Sequence, residues 1–213
     1  MRKLIRLGLL NLMPLVTVAV SSSHLNAQVK MGGGQADAKP YYYEIPAAPE
    51  SYNAYTVAAR MVDGLGFRYF WATEGLTDED LDYKPSESSR TPRETLGHIQ
   101  GLTRVVLNAV KSEPNGARGG DRQEQTFDEM RNETLALIKE ASDLLKSHKE
   151  DQMSDYAMIF QRGDSSSEYP FWNVINGPLS DALWHVGQIV VLRRVSGNPF
   201  DSKVSVLAGK RRN

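Results

Sequence analysis

Asp181, His185 and Gln188 follow one another at steps of four and three residues, so on a helix they share one face. The four-residue step brings the first two side chains within reach of one metal ion. His98 stands in another stretch of apolar helical periodicity and can supply a third ligand from a facing helix. Three ligands from two helices leave coordination positions open, the arrangement of a catalytic rather than a structural site. Two imidazoles and a carboxylate serve zinc hydrolases and non-haem iron oxygenases alike, so zinc leads the expectation, with nickel, iron and manganese as alternatives. Gln188 is a candidate contact to substrate or to water on the metal; no further catalytic residue is identified, and no organic cofactor site. Structural readings compete with each assignment. His98 can be a core histidine satisfied by one hydrogen bond, and Asp181–His185 a simple i,i+4 pair or Asp181 a first-turn acid favoured by the helix dipole. Gln188 can equally bond to a neighbouring helix.

The remaining composition narrows the chemistry. There is no cysteine among 213 residues, which excludes disulfide scaffolds, thiolate metal sites and cysteine nucleophiles. The formal net charge of −1 lacks the basic excess of a nucleic-acid binder. Of the four histidines, His24 falls in the amino-terminal segment and His148 at a helix end, where the dipole favours a cation. Trp184 and Trp71 are candidates for a pocket mouth, with packing or a dimer interface as their default reading. Arg193 and Arg194 sit near a helix end, where the dipole explains them; one facing an anionic substrate group is the alternative.

Four helical segments must position these groups. The first runs from about Ser51 to Gly75, with Gly64 and Gly66 weakening its centre, and Thr77–Leu81 adds a short turn. The second starts at Thr91, Pro92 and Glu94, a cap, a first-turn proline and a capping-box acid, and ends near Ser112. The third spans about Gln123 to His148. The fourth begins near Gly177-Pro178 with Asn176 as cap and ends at Gly197-Asn198-Pro199. Its inward stripe is read as Asp181, His185, Gln188, Leu192 and Val195. Residues 149–176 read as a mostly non-helical connection. The expected fold is all-α, a four-helix bundle. The link of about twelve residues between the second and third helices can stretch roughly 36–40 Å, so these two can run parallel or antiparallel.

The amino terminus carries Arg2, Lys3 and Arg6 before an apolar run from Leu7 to Val20, too short to span about 30 Å of hydrocarbon comfortably. Residues 1–27 are therefore expected to be a cleaved secretory signal, leaving 22 basic against 26 acidic groups and an exported, periplasmic or secreted protein without a transmembrane segment. Residues 28–50 read as a flexible lead-in, with Tyr41–Tyr43 an aromatic strip packed along the domain; residues 51–200 form the bundle and 201–213 a tail.

Three stretches carry a resemblance: Thr91-Pro-Arg-Glu-Thr-Leu-Gly-His98, Asp181-Ala-Leu-Trp-His185-Val-Gly187-Gln188, and Arg193-Arg194-Val-Ser-Gly197-Asn198-Pro199. Across about residues 51–200 the chain resembles the DinB-like superfamily, whose members include thiol-dependent transferases of the bacillithiol type. The resemblance implies a four-helix bundle with its second and third helices parallel, often dimeric, holding a divalent metal on three side chains. Members often use three histidines; His98 and His185 match two, and Asp181 takes the place of the third. A carboxylate still ligates but changes the metal preference. Because an exported chain lacks access to cytoplasmic thiols, a metal-dependent hydrolase of unknown small-molecule substrate is the leading expectation. A thiol-dependent transferase and a non-catalytic bundle binding a small molecule or a protein are the alternatives.

Overall fold

A computed structural model describes residues 39–116, 125–148 and 153–213. The expected signal, residues 1–27, and His24 lie outside the described residues. The protein is mostly helical. The long helices are α1 (Ala54–Thr73), α3 (Pro92–Lys111), α4 (Phe127–Ser147) and α6 (Ser180–Val195), with α2 (Asp78–Asp82) and α5 (Phe171–Val174) as short pieces between them. α1 packs on α4 and α6, and α3 packs on the same two helices.

Local chemistry fixes where these helices begin. Asn53 caps α1, and its backbone N–H donates to Thr56 Oγ1 at 2.9 Å, closing a capping box. Thr77 with Asp80, Thr91 with Glu94 and Thr126 with Glu129 repeat the device at α2, α3 and α4. The first three expected segments thus appear within a few residues of their expected bounds, although residues 123–124 lie outside the described residues.

α1 is buried on nearly all sides, which explains its weak amphipathic pattern. Its Gly66 is a seat: a Cβ there would lie 2.4 Å from the ring of Tyr42, which is only 2% exposed. The Tyr41–Tyr43 strip packs along α1 as expected, with the Tyr43 carbonyl accepting from Trp71 Nε1 at 3.1 Å. Beneath Tyr42, the fully buried Asp63 accepts from Ser142 Oγ at 2.7 Å and pairs with Lys146 Nζ at 2.7 Å, so its charge is compensated from α4.

Strands depart from the all-helical expectation. β1 (Pro114–Asn115) pairs in parallel with β2 (Ala157–Arg162), and β2 pairs antiparallel with β3 (Ser165–Pro170) around Gly163, whose φ is +57°. β3 is exposed along its length and so carries no buried alternation that would betray a strand. Residues 201–213 form a second hairpin, β4 (Val204–Ser205) with β5 (Lys210–Arg211), whose Gly209 carbonyl accepts from Ile45 N at 2.7 Å.

The fourth helix also starts differently. Helical structure begins at Phe171, passes through a wide π-type turn over Ile175–Leu179, and continues into α6. Pro178 has no N–H to give the preceding turn, and the turn closes on the Ile175 carbonyl, which accepts from both the Ser180 backbone N–H and Ser180 Oγ, the latter at 2.6 Å. Asn176 is therefore inside this wide turn rather than an N-cap.

Candidate metal centre

The buried stripe of α6 is Ala182, Val186, Ile189 and Arg193, one position round from the expected one. A charged residue at a core position disguised it. Arg193 is 4% exposed because its guanidinium closes the end of α1, donating to the carbonyls of Trp71, Ala72 and Glu74, while Nε and Nη2 bond to Asn198. It thus serves the C-terminal carbonyls of another helix, and neither its own helix dipole nor a substrate accounts for it. Asp181 and His185 consequently lie on the flank of α6, half-buried, with Gln188 exposed and Val195 61% exposed.

α3 meets that flank. Its buried Leu96 and Ile99 fix its rotation, and half-buried His98 between them faces α6. His98 Nε2 lies 3.4 Å from Asp181 Oδ2, and His185 Nε2 lies 3.3 Å from Asp181 Oδ1. The imidazoles meet edge to face with centroids 4.7 Å apart. One donor atom from each residue falls within 4.8 Å of the other two. A tetrahedral ion with bonds of about 2.0–2.2 Å separates its ligand atoms by about 3.3–3.6 Å. Each Asp–His separation has the length of such an edge, although the two end on different Asp181 oxygens, and the nitrogen and oxygen donors suit a divalent ion of the zinc type.

His98 is held toward its neutral form. Burial, then the neighbouring His185, and more weakly Arg90 pull the basicity of His98 below the ordinary histidine value, against the raising effect of Asp181. His185 Nδ1 lies 2.8 Å from Gln188 Oε1. A carboxamide oxygen only accepts, so Nδ1 donates, and Nε2 is the ring nitrogen turned toward Asp181. Gln188 thereby orients the His185 ring from within the same helix.

A cavity of about 610 Å³ opens beside the cluster, bordered by His185 and Gln188, by Trp184, Val191 and Leu192 of α6, by Thr95 of α3, and by Pro85, Ser89, Arg90 and Gly187. Trp184 is at this cavity, 74% exposed, whereas Trp71 is buried against Tyr43 and takes no part. His148 belongs to a separate cluster, stacked on Tyr55 and bonded to the Tyr156 hydroxyl at 2.7 Å. The sequence reading missed Ser89 and Arg90. They lie in the connection before α3, and their only local signal is adjacency to the Thr91 cap.

The DinB superfamily pattern matches residues 68–172. That span contains His98 and stops before Asp181 and His185, which rest on geometry. No curated protein and no solved structure matches the chain.

Proposed function

From a DinB-like assignment of this chain, supported across residues 68–172, we propose that it binds a divalent metal, zinc foremost, on His98, Asp181 and His185 and hydrolyses a small-molecule substrate. One observation carries this reading: three donor atoms from two helices converge within 4.8 Å at the edge of a cavity large enough for a small organic ligand. When bound, the ion supplies Lewis acidity at that edge. The chain supplies the rest. Gln188 holds a proton on His185 Nδ1 and turns Nε2 inward; Asp181 brings negative charge between the two rings. Trp184, Val191 and Leu192 give a substrate body an apolar wall from which water is displaced.

The finer architecture belongs to the same proposal: a four-helix bundle of α1, α3, α4 and α6 with α3 and α4 parallel. Its support is a set of polar pairs that advance together along both helices, Gln100 and Arg104 with Glu133 and Lys111 with Glu140. Export is proposed from the charged start and apolar run before residue 28. No helix among the described residues is long and apolar enough to cross a membrane. A homodimer, expected from the resemblance, is part of the proposal and is read by sedimentation.

The test is metal analysis of untagged protein, expected to give about one divalent ion per chain and none in His98→Ala or Asp181→Ala. A screen of ester, amide and phosphate substrates with His185→Ala as control then reads turnover. A non-catalytic binding role is the second reading, favoured because His185 is the one general acid or base among the described residues lining the cavity. Bound metal without turnover across the screen selects it.

A further inference from the structure

Arg90 is the one guanidinium or ammonium group lining the cavity beside the cluster, and no carboxylate lines it among the described residues. Most arginines of the described fold are engaged: Arg93 with Asp78 and Asp82, Arg104 with Glu133, Arg131 with Glu74, Arg193 with backbone carbonyls. Arg90 makes no hydrogen bond or ion pair with a described residue. Glu87, three residues before it, forms no ion pair with it, and Glu94, four residues after, feels its charge only at a distance and is committed elsewhere, accepting from the Thr91 backbone N–H at 2.8 Å in the α3 capping box. That same cap fixes the backbone next to Arg90. α6 lines the same cavity with the apolar Trp184, Val191 and Leu192.

A cavity with an unpaired guanidinium on one side, an indole and aliphatic side chains on another, and no acid is built for an amphipathic anion. We infer that the ligand of this site is a small molecule with an anionic head group, carboxylate or phosphate, held by Arg90, and an apolar body lying against Trp184, Val191 and Leu192. The inference deepens the hydrolase reading by naming its substrate class, and rests on that reading only for what happens at the His98–Asp181–His185 end. Arg90 acts here as a binding and specificity residue. Guanidinium geometry accommodates either head group, and the probes below tell them apart.

The test uses the full chain stripped of metal, so that binding is read apart from turnover. Hexanoate, hexyl phosphate and hexanol are titrated by ligand-observed NMR against the wild type, Arg90→Gln, Arg90→Lys and, as a control outside the cavity, Arg194→Gln. At least one of the two anions is expected to bind about tenfold more tightly than hexanol, the lower end for a charge-assisted hydrogen bond. The anion that binds more tightly identifies the head group. Arg90→Gln is expected to erase the preference, Arg90→Lys to retain part of it, and Arg194→Gln to leave it intact. Arg90 is exposed and unbonded, so these substitutions leave the fold in place. Equal binding of hexanol, an anion preference that survives Arg90→Gln, or no binding by any probe overturns the inference. Failure of the metal reading registers separately, as protein that contains no metal yet keeps the anion preference.

Discussion

Replacing Gly66 by alanine tests whether Tyr42 is a structural bolt. The new Cβ would stand 2.4–2.6 Å from three atoms of the Tyr42 ring, well inside contact distance, and a buried aromatic ring offers no flexible end to yield. The ring has to leave its seat, taking with it the 3.3 Å hydrogen bond to Asp63. Losing a buried aromatic costs about 3–5 kcal/mol. Alanine returns about 1 kcal/mol through helix propensity at this mid-helix position. The balance is a loss of about 2–4 kcal/mol, or roughly 4–16 °C in Tm for a domain of this size. In a Tyr42→Ala background the obstacle is gone, and the same Gly66→Ala change is expected to stabilise by up to about 1 kcal/mol. Urea unfolding followed by circular dichroism at 222 nm on the four proteins of this cycle reads the sign reversal. A neutral or stabilising Gly66→Ala in the wild-type background, or the same sign in both, refutes the argument.

Arg193→Met keeps the aliphatic length and leaves the Trp71, Ala72 and Glu74 carbonyls without their donor; a loss of about 3 kcal/mol is expected in urea unfolding, with Arg193→Lys recovering only part. Asp80 gives a pH signature. Burial pulls its pKa upward, but hydrogen bonds from Ser196, Asn198 and Thr77 outweigh that and hold it down to about 2, against an ordinary 3.8. A depressed folded-state pKa means stabilisation of about 2 kcal/mol that is complete above the unfolded value and lost as pH falls through about 2. Unfolding free energies between pH 5 and 2 are expected to fall more steeply in the wild type than in Asp80→Asn; parallel curves contradict the assignment. Gln188→Ala frees the His185 ring and is expected to weaken metal affinity about 10- to 100-fold, measured by competition with a chelating indicator, whereas His185→Ala abolishes binding. Unchanged affinity in Gln188→Ala removes the orienting role.

Helix starts were legible because their chemistry is local: Thr91, Pro92 and Glu94 carry the whole signal for α3 within four residues. The clustering of His98, Asp181 and His185 was legible because histidines are few and Asp181 and His185 are spaced for one face. Which face of α6 is buried was not, since the answer depends on Arg193 reaching the carbonyls of α1, a contact between distant parts of the chain. Gly177-Pro178 looks like a helix start by the ordinary rules, yet the turn widens and the helix passes through. The strands escaped notice for a related reason: β1 has two residues, β3 buries none of its side chains, and pairing between 114–115 and 159–160 leaves no periodic trace. Arg90 matters only once the connection before α3, α3 itself and α6 enclose a cavity, and nothing in its neighbours announces that.

The ligand set is divided between α3 and α6, and α6 is the last long helix to emerge during synthesis. A growing chain that ends before residue 180 offers an ion a single imidazole from this set, a grip too weak to retain it. Loading of the proposed site is therefore an event of the finished molecule rather than of the nascent one. On the proposed metal reading, the compartment that hosts the final stage of folding decides, by the ions it holds, which metal fills the site.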